Sequence, residues 1–185
     1  MITEDYKEQL QAHRASNPEW GSTAAKYAGL DVVRMLERVR QAKTVLDFGC
    51  GTGSLARYIR AHAPREIEVF EYDPSVPGKD TIPDRKFDMI VSTDVMEHIE
   101  PESLNETLRW LHNHAEMAML HVIACGPTNR KLPDGRDVHL IQQPISWWRG
   151  RLEQGPWVAQ EVAQVMQIRR RAERHRGHIY LEKKV

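Results

Sequence analysis

The 185-residue chain predicts one α/β domain, a mostly parallel sheet between two helical layers that finishes in an antiparallel hairpin. Three observations lead there. Short β-rich runs (TVLDF, IEVFE, FDMIVS, MAMLHVIA) alternate with longer amphipathic stretches, the pattern of strand–helix–strand crossovers. MAMLHVIA is apolar almost throughout, as expected of a strand covered on both faces. A glycine-rich turn, DFGCGTG at residues 47–53, joins the first strand-like run to a helix-like one. Covered parallel sheets bind their ligands at such turns.

In chain order, Thr3 reads as the cap of a helix running to about Arg14, with Glu4 and Asp5 in its first turn and Tyr6 and Leu10 on one face. ASNPEWGST breaks it. Ala24 to Arg40 reads as a second helix with Tyr27, Leu30, Val33 and Leu36 as its apolar stripe. SLARYIRAHA, after the glycine turn, is a third. PESLNETLRWLHNHA is a helix with Pro101 in its first turn and Leu104, Leu108 and Leu111 facing inward. A long loop, residues 125–143, precedes the helix PISWWRGRLEQ, which Gly155 and Pro156 stop. The tail reads as two strands around an Arg-rich turn, although a helix over 160–174 also fits the spacing of Val162, Val165, Met166 and Arg169.

Hydrophobic residues make up 41% and charged ones 28%, the composition of a soluble globular protein, and no apolar run approaches the roughly 18 residues of a membrane span. The polar N-terminus is unlike a secretory signal, and Cys50 and Cys125 lack CxxC spacing, so a cytoplasmic protein with reduced thiols is expected. The net charge is zero, but residues 169–185 carry seven Lys/Arg against two Asp/Glu. That segment is either a solvated hairpin or a landing surface for an anionic partner.

The glycine turn has the order Asp47, Gly49, Gly51, Gly53. Its last glycine comes one residue early for the GxGxxG dinucleotide fingerprint, and no P-loop lysine follows. The stretch resembles motif I of the class I S-adenosylmethionine-dependent methyltransferases, and the resemblance extends over about residues 44–125. It implies a Rossmann-like three-layer sandwich, S-adenosylmethionine as cofactor, and binding by Asp47, Phe48, Gly49, Gly51 and Gly53. In VFEYDP it assigns the ribose-binding acid to Glu71, with Tyr72 beside it. FDMIVSTDVMEHI matches the strand and turn that bring Asp94 to the cofactor.

Only thirteen residues separate Asp73 from Phe87, where the family places a helix, a strand and an adenine-contacting acid. The three prolines in this stretch exclude that helix. A trimmed sheet edge is therefore expected, with the third strand and its preceding helix reduced or absent, and Asp80 is the remaining candidate for the adenine acid. Residues 1–42 are expected to form a helical lid or support, in which Trp20 and Tyr27 either cover the site or pack on the core, and residues 43–185 the sheet core.

His98 and His139 are the candidates for orienting the methyl acceptor or taking its proton, because both follow strands that open on the same sheet edge. Some relatives that methylate quinone precursors or RNA ends hold a divalent metal with an acid-x-x-Glu-His set, which Asp94, Glu97 and His98 match here. A metal-free cavity is the expectation. The implied activity is methyl transfer to an O or N atom of a small molecule or nucleoside-type acceptor, without a membrane partner. A nucleic-acid substrate and a non-catalytic cofactor-binding subunit are the alternatives.

Overall fold

The computed structural model describes residues 2–169 and 172–184, with side chains for all of these except 164–169 and 172–175. Helices α1 (Glu4–Ser16) and α2 (Ala24–Arg38) precede β1 (Thr44–Phe48), α3 (Ser54–His62), β2 (Glu68–Tyr72) and β3 (Phe87–Thr93). Then come α4 (Leu104–His114), β4 (Ala115–Ala124), α5 (Ile145–Leu152), β5 (Trp157–Arg169) and β6 (Ala172–Lys183). The six strands lie in the order β2-β1-β3-β4-β6-β5. The first four are parallel, and β6 returns antiparallel to both β4 and β5. The tail is thus a pair of strands and not a helix.

The period-two alternation of the central strands divides the core into two layers. Val45, Met89, Val91, Leu120 and Val122 face α2 and α3, meeting Val32, Leu36, Leu55 and Ile59. Leu46, Ile90, Met119, Ile179 and Leu181 face the opposite way, onto Leu104, Leu108, Leu111, Trp148 and Leu152 of α4 and α5. Fully burying each such side chain contributes about 1.5–3 kcal/mol, so both faces of the sheet are strongly specified.

The trimmed edge is present. β2 is the outermost strand, and residues 73–86 contain turns and bends without helix or strand. The expected α2 stripe is only partly right. Ala24, Ala28, Val32, Met35 and Leu36 are buried, whereas Leu30 is 54% exposed. A series spaced by three falls back about 60° around the helix at each step, so Tyr27-Leu30-Val33-Leu36 winds off the face that a mixed three-and-four spacing holds.

α1 belongs to neither layer. Thr3 caps it through the Tyr6 amide, and Tyr6 and Leu10 pack on Leu132 and Val138 of the long loop after β4. This brings α1 across the carboxyl edge of the sheet. No helix among the described residues is long and apolar enough to cross a membrane.

Candidate active site

A cavity of about 620 Å³ opens at the carboxyl ends of the parallel strands. Its floor is the glycine turn. Gly49 (φ 78°) and Gly51 (φ 53°) adopt left-handed backbone that side-chain-bearing residues resist. A Cβ on Gly49 would fall 2.3 Å from Val95, and one on Gly51 would fall 2.8 Å from the Gly21 carbonyl. The turn is held by the end of β2: Gly49 and Cys50 donate to the Tyr72 carbonyl, and Gly51 donates to Asp73 at 2.9 Å.

Phe48, Gly49, Gly51, Tyr72, Asp94, His98 and His139 all line this cavity, whereas Asp47, Gly53 and Glu71 do not. Gly53 caps α3 instead. Glu71 is ion-paired to Lys79 at 2.7 Å and to Arg60 at 3.0 Å. Burial alone would raise its pKa, but these two cations outweigh it and hold the carboxyl below its ordinary range. The acid on the cavity wall at this strand end is Asp73, 6% exposed. One of its oxygens accepts from the Ser75 amide and hydroxyl, the other from Gly51 and from Arg14 at 3.1 Å. Asp80 is also outside the cavity wall and faces Lys7 at 3.5 Å.

Asp47 lies buried beneath the turn with one carboxylate oxygen unpartnered. Burial, and then the charge of Glu71, push its pKa up to about 7. The folded state therefore binds this proton more tightly than the unfolded chain, and stability falls as pH rises from about 4 through 7. Asp47→Asn is expected to remove the penalty. In chemical denaturation its stability relative to the parent should improve from pH 5 to pH 8. The gain should be at most about 4 kcal/mol, the free energy that separates an ordinary aspartate from one titrating near 7. An unchanged difference between the two pH values would show that Asp47 titrates normally.

The far wall carries two imidazoles. His98 follows β3, His139 lies in the loop after β4, and their ring centroids are 5.0 Å apart, edge to face. Each ring points Nδ1 at a backbone carbonyl, His98 at Val138 (2.5 Å) and His139 at Gly126 (2.6 Å). A carbonyl only accepts, so Nδ1 of each ring carries a proton. Burial, with His139 alongside, pushes the His98 pKa down to about 4, so it is uncharged at neutral pH. Next to it Glu97 is fully buried. One oxygen accepts from the Ala124 amide at 3.0 Å, and the other has no partner. Burial, and then Asp94, raise its pKa well above the carboxylate range.

Asp94 itself has a positive φ of 53° and is gripped by Arg176 through two contacts of 2.8 and 2.6 Å. The guanidinium lies 3.9 Å from the centre of the Tyr27 ring. Over the site, Trp20 meets His98 edge-on at 5.5 Å, and Arg14 donates to the Trp20 carbonyl. Sequence reasoning missed Arg14, Asp73 and Arg176. The signal for Arg176 was strand alternation, which puts it on the same face as His178 and Tyr180, toward α2. His178 contacts Asp31, and the Arg38 guanidinium lies over the Tyr180 ring. Of the seven cations in the basic segment 169–185, Arg170 and Arg171 lie outside the described residues, the side chains of Arg169 and Arg174 are not described, Arg176 is buried against Asp94, and Lys183 and Lys184 are exposed.

A parallel sheet with a left-handed glycine turn at its carboxyl edge and an antiparallel last strand pair form the class I methyltransferase architecture, here with one edge trimmed. The chain belongs to the family described as "Methyltransferase domain", whose model matches residues 20–175. Solved structures agree on the fold. The Burkholderia thailandensis 1,6-didemethyltoxoflavin-N1-methyltransferase, crystallised with 1,6-didemethyltoxoflavin and S-adenosylhomocysteine, aligns with 100% of this chain and 92% of its own (TM-score 0.71, 14% identity). The Synechocystis magnesium protoporphyrin IX methyltransferase with bound S-adenosylmethionine aligns over 100% of both chains (TM-score 0.66, 15% identity). A mitomycin 7-O-methyltransferase aligns with 96% of this chain and 60% of its own (TM-score 0.62, 15% identity). No curated protein sequence matches the chain.

Proposed function

We propose that this methyltransferase uses S-adenosylmethionine to methylate an oxygen or nitrogen atom of a small molecule or nucleoside-type acceptor. The observation that carries the reading is a single cavity with the glycine turn and Asp73 at one end and the His98–His139 pair at the other. Its volume is that of a site for compact ligands. The similar structures named for their substrates act on small molecules: a toxoflavin precursor, a porphyrin and mitomycin.

The residues fit the cofactor. Gly49 and Gly51 line the cavity in left-handed backbone, with the space a Cβ would need already taken by Val95 and Gly21, so the turn offers bare backbone to the methionine part. Asp73, at the end of the second strand, has the position and charge to accept the ribose hydroxyls, a role that passes to it from Glu71. Phe48 and Tyr72 supply apolar wall. When bound, the cofactor supplies a sulfonium methyl group, whose bond to sulfur breaks with its electron pair returning to sulfur as the acceptor–methyl bond forms. The chain aligns the acceptor for that displacement. His98 and His139 orient the acceptor and draw off its proton, while Trp20 and Tyr27 exclude water from above.

Isothermal titration with S-adenosylhomocysteine is expected to show one site per chain. Incubation with S-adenosylmethionine and fractionated small-molecule extract should then release S-adenosylhomocysteine, and His139→Ala should lower that turnover roughly a hundredfold without weakening cofactor binding. No cofactor binding, or turnover only on added RNA, would overturn the reading.

A further inference from the structure

The loop after β4 carries three cations, and two of them are neutralised within it. Lys131 faces Asp137 at 3.6 Å, and Arg136 faces Asp134 at 2.6 Å. The third, Arg130, has no counter-ion among the described residues, yet it belongs to the cavity wall. Its backbone is fixed on both sides. The Arg130 amide donates to the Thr128 hydroxyl at 3.4 Å, and its carbonyl accepts from Val138 at 3.2 Å. Asp137 closes the same turn by accepting from the Thr128 and His139 amides at 3.3 and 2.9 Å. Arg130 and His139 therefore stand on facing arms of one small hairpin, bridged at Lys131 and Asp137, and both line the cavity. The other wall cations, Arg14 and Arg176, are paired with Asp73 and Asp94. The remaining wall acid, Glu19, stands two residues before Gly21, which packs against Gly51 of the glycine turn, at the cofactor's end. His13 touches the Lys131 carbonyl, and its pKa is held low by burial and then by the charges of Arg130 and Arg14, so this side of the cavity is positive.

We propose that Arg130 recognises an acidic group on the methyl acceptor, which is therefore a small molecule carrying a carboxylate or a phosphate. A guanidinium presents a planar fork of donors that matches either oxyanion through two parallel contacts. At a concave wall, without an internal counter-ion, that fork is available to a ligand. Its place on the hairpin that also carries His139 puts the acidic group at the acceptor end of the cavity, opposite the glycine turn. A second fixed point on the acceptor, remote from the reacting O or N atom, turns loose binding into alignment with the methyl group. This deepens the proposed function and rests on it for the acceptor's role, whereas the anion site itself stands on Arg130 and its hairpin.

Matched probes test it by saturation-transfer NMR on the full chain, with and without S-adenosylhomocysteine: benzoate against benzamide, and phenyl phosphate against its neutral dimethyl ester. The probes carry a ring because Trp20, Tyr27 and His98 line the same cavity. The parent should bind at least one acid about tenfold or more tighter than its neutral counterpart, the gain of a charge-assisted contact, and the tighter acid distinguishes carboxylate from phosphate. Arg130→Gln should reduce that preference to less than about threefold and leave affinity for S-adenosylhomocysteine unchanged, while Arg130→Lys should keep part of it. Lys131→Gln removes a cation off the cavity wall and should leave the preference at its parental value. No preference for either acid in the parent, or the parental preference retained in Arg130→Gln, would overturn the site. Titration of the same samples with S-adenosylhomocysteine separates the two readings. Cofactor binding with no preference for acids sinks only the Arg130 site, and an Arg130-dependent preference in a chain that binds no cofactor sinks only the proposed function.

Discussion

Asp73→Ala is expected to lower stability by about 3 kcal/mol and affinity for S-adenosylhomocysteine by roughly tenfold or more. The carboxylate accepts from the Gly51 amide, the Ser75 amide and hydroxyl, and Arg14. With alanine there, the buried Gly51 amide loses its acceptor, and the glycine turn keeps only the Gly49 and Cys50 bonds to Tyr72. Arg14, on α1, loses the anion that draws the N-terminal segment over the cavity. Asp73→Asn keeps the shape and removes the charge, so it should retain most of the stability while losing cofactor affinity. Glu71→Ala is the matched control. It breaks ion pairs to Lys79 and Arg60 outside the cavity, and affinity should change by less than about threefold, within the small worth of a partly exposed pair. Urea unfolding and isothermal titration measure both effects. Strong loss in Glu71→Ala with none in Asp73→Asn would return the ribose contact to Glu71.

The second large effect is expected at Arg176. This residue is 6% exposed, and its guanidinium is bidentate to Asp94 and stacked on Tyr27. Arg176→Met leaves Asp94 without its counter-charge beside the buried Glu97, and because Asp94 is a quarter exposed at the cavity the cost is expected at or below the low end of the buried-pair range, about 3 kcal/mol. Arg176→Lys should recover only part, because an ammonium cannot reproduce the two parallel contacts. The double variant Arg176→Met with Asp94→Asn should be more stable than the sum of the single losses predicts, by about 2 kcal/mol. Strict additivity in urea unfolding would mean that the pair does not hold β6 to the β3 turn.

The fold was legible because its signals are local and repeated. The β-rich runs along 87–92 and 117–124, the inward row Leu104-Leu108-Leu111 and the shortness of 74–86 each constrain one element, and together they leave few topologies. The stripe of α2 was misread because a spacing of three alone does not stay on one helical face. At the site, Gly49, Gly51, Phe48, Tyr72, His98 and His139 were legible as cavity residues, since each ends a parallel strand or lies in the loop that follows one. Glu71, expected at the cofactor, is off the cavity wall, and Asp73, two residues on, is on it. Residues two apart in a strand share a face, but Asp73 lies beyond the end of β2, where the chain has turned onto the cavity.

The layers of this protein, the trimmed edge, the ligand-binding turn and the family were all set down in the sequence, because hydrophobic period, proline and glycine act over a few residues. Which charges meet was left to tertiary packing: Arg14 with Asp73 across 59 residues, Arg176 with Asp94 across 82, and His139 with Glu97 and His98. Such pairs depend on where distant segments are placed by the packed sheet. An isolated Arg or His in the sequence carries no mark of the partner that burial will give it.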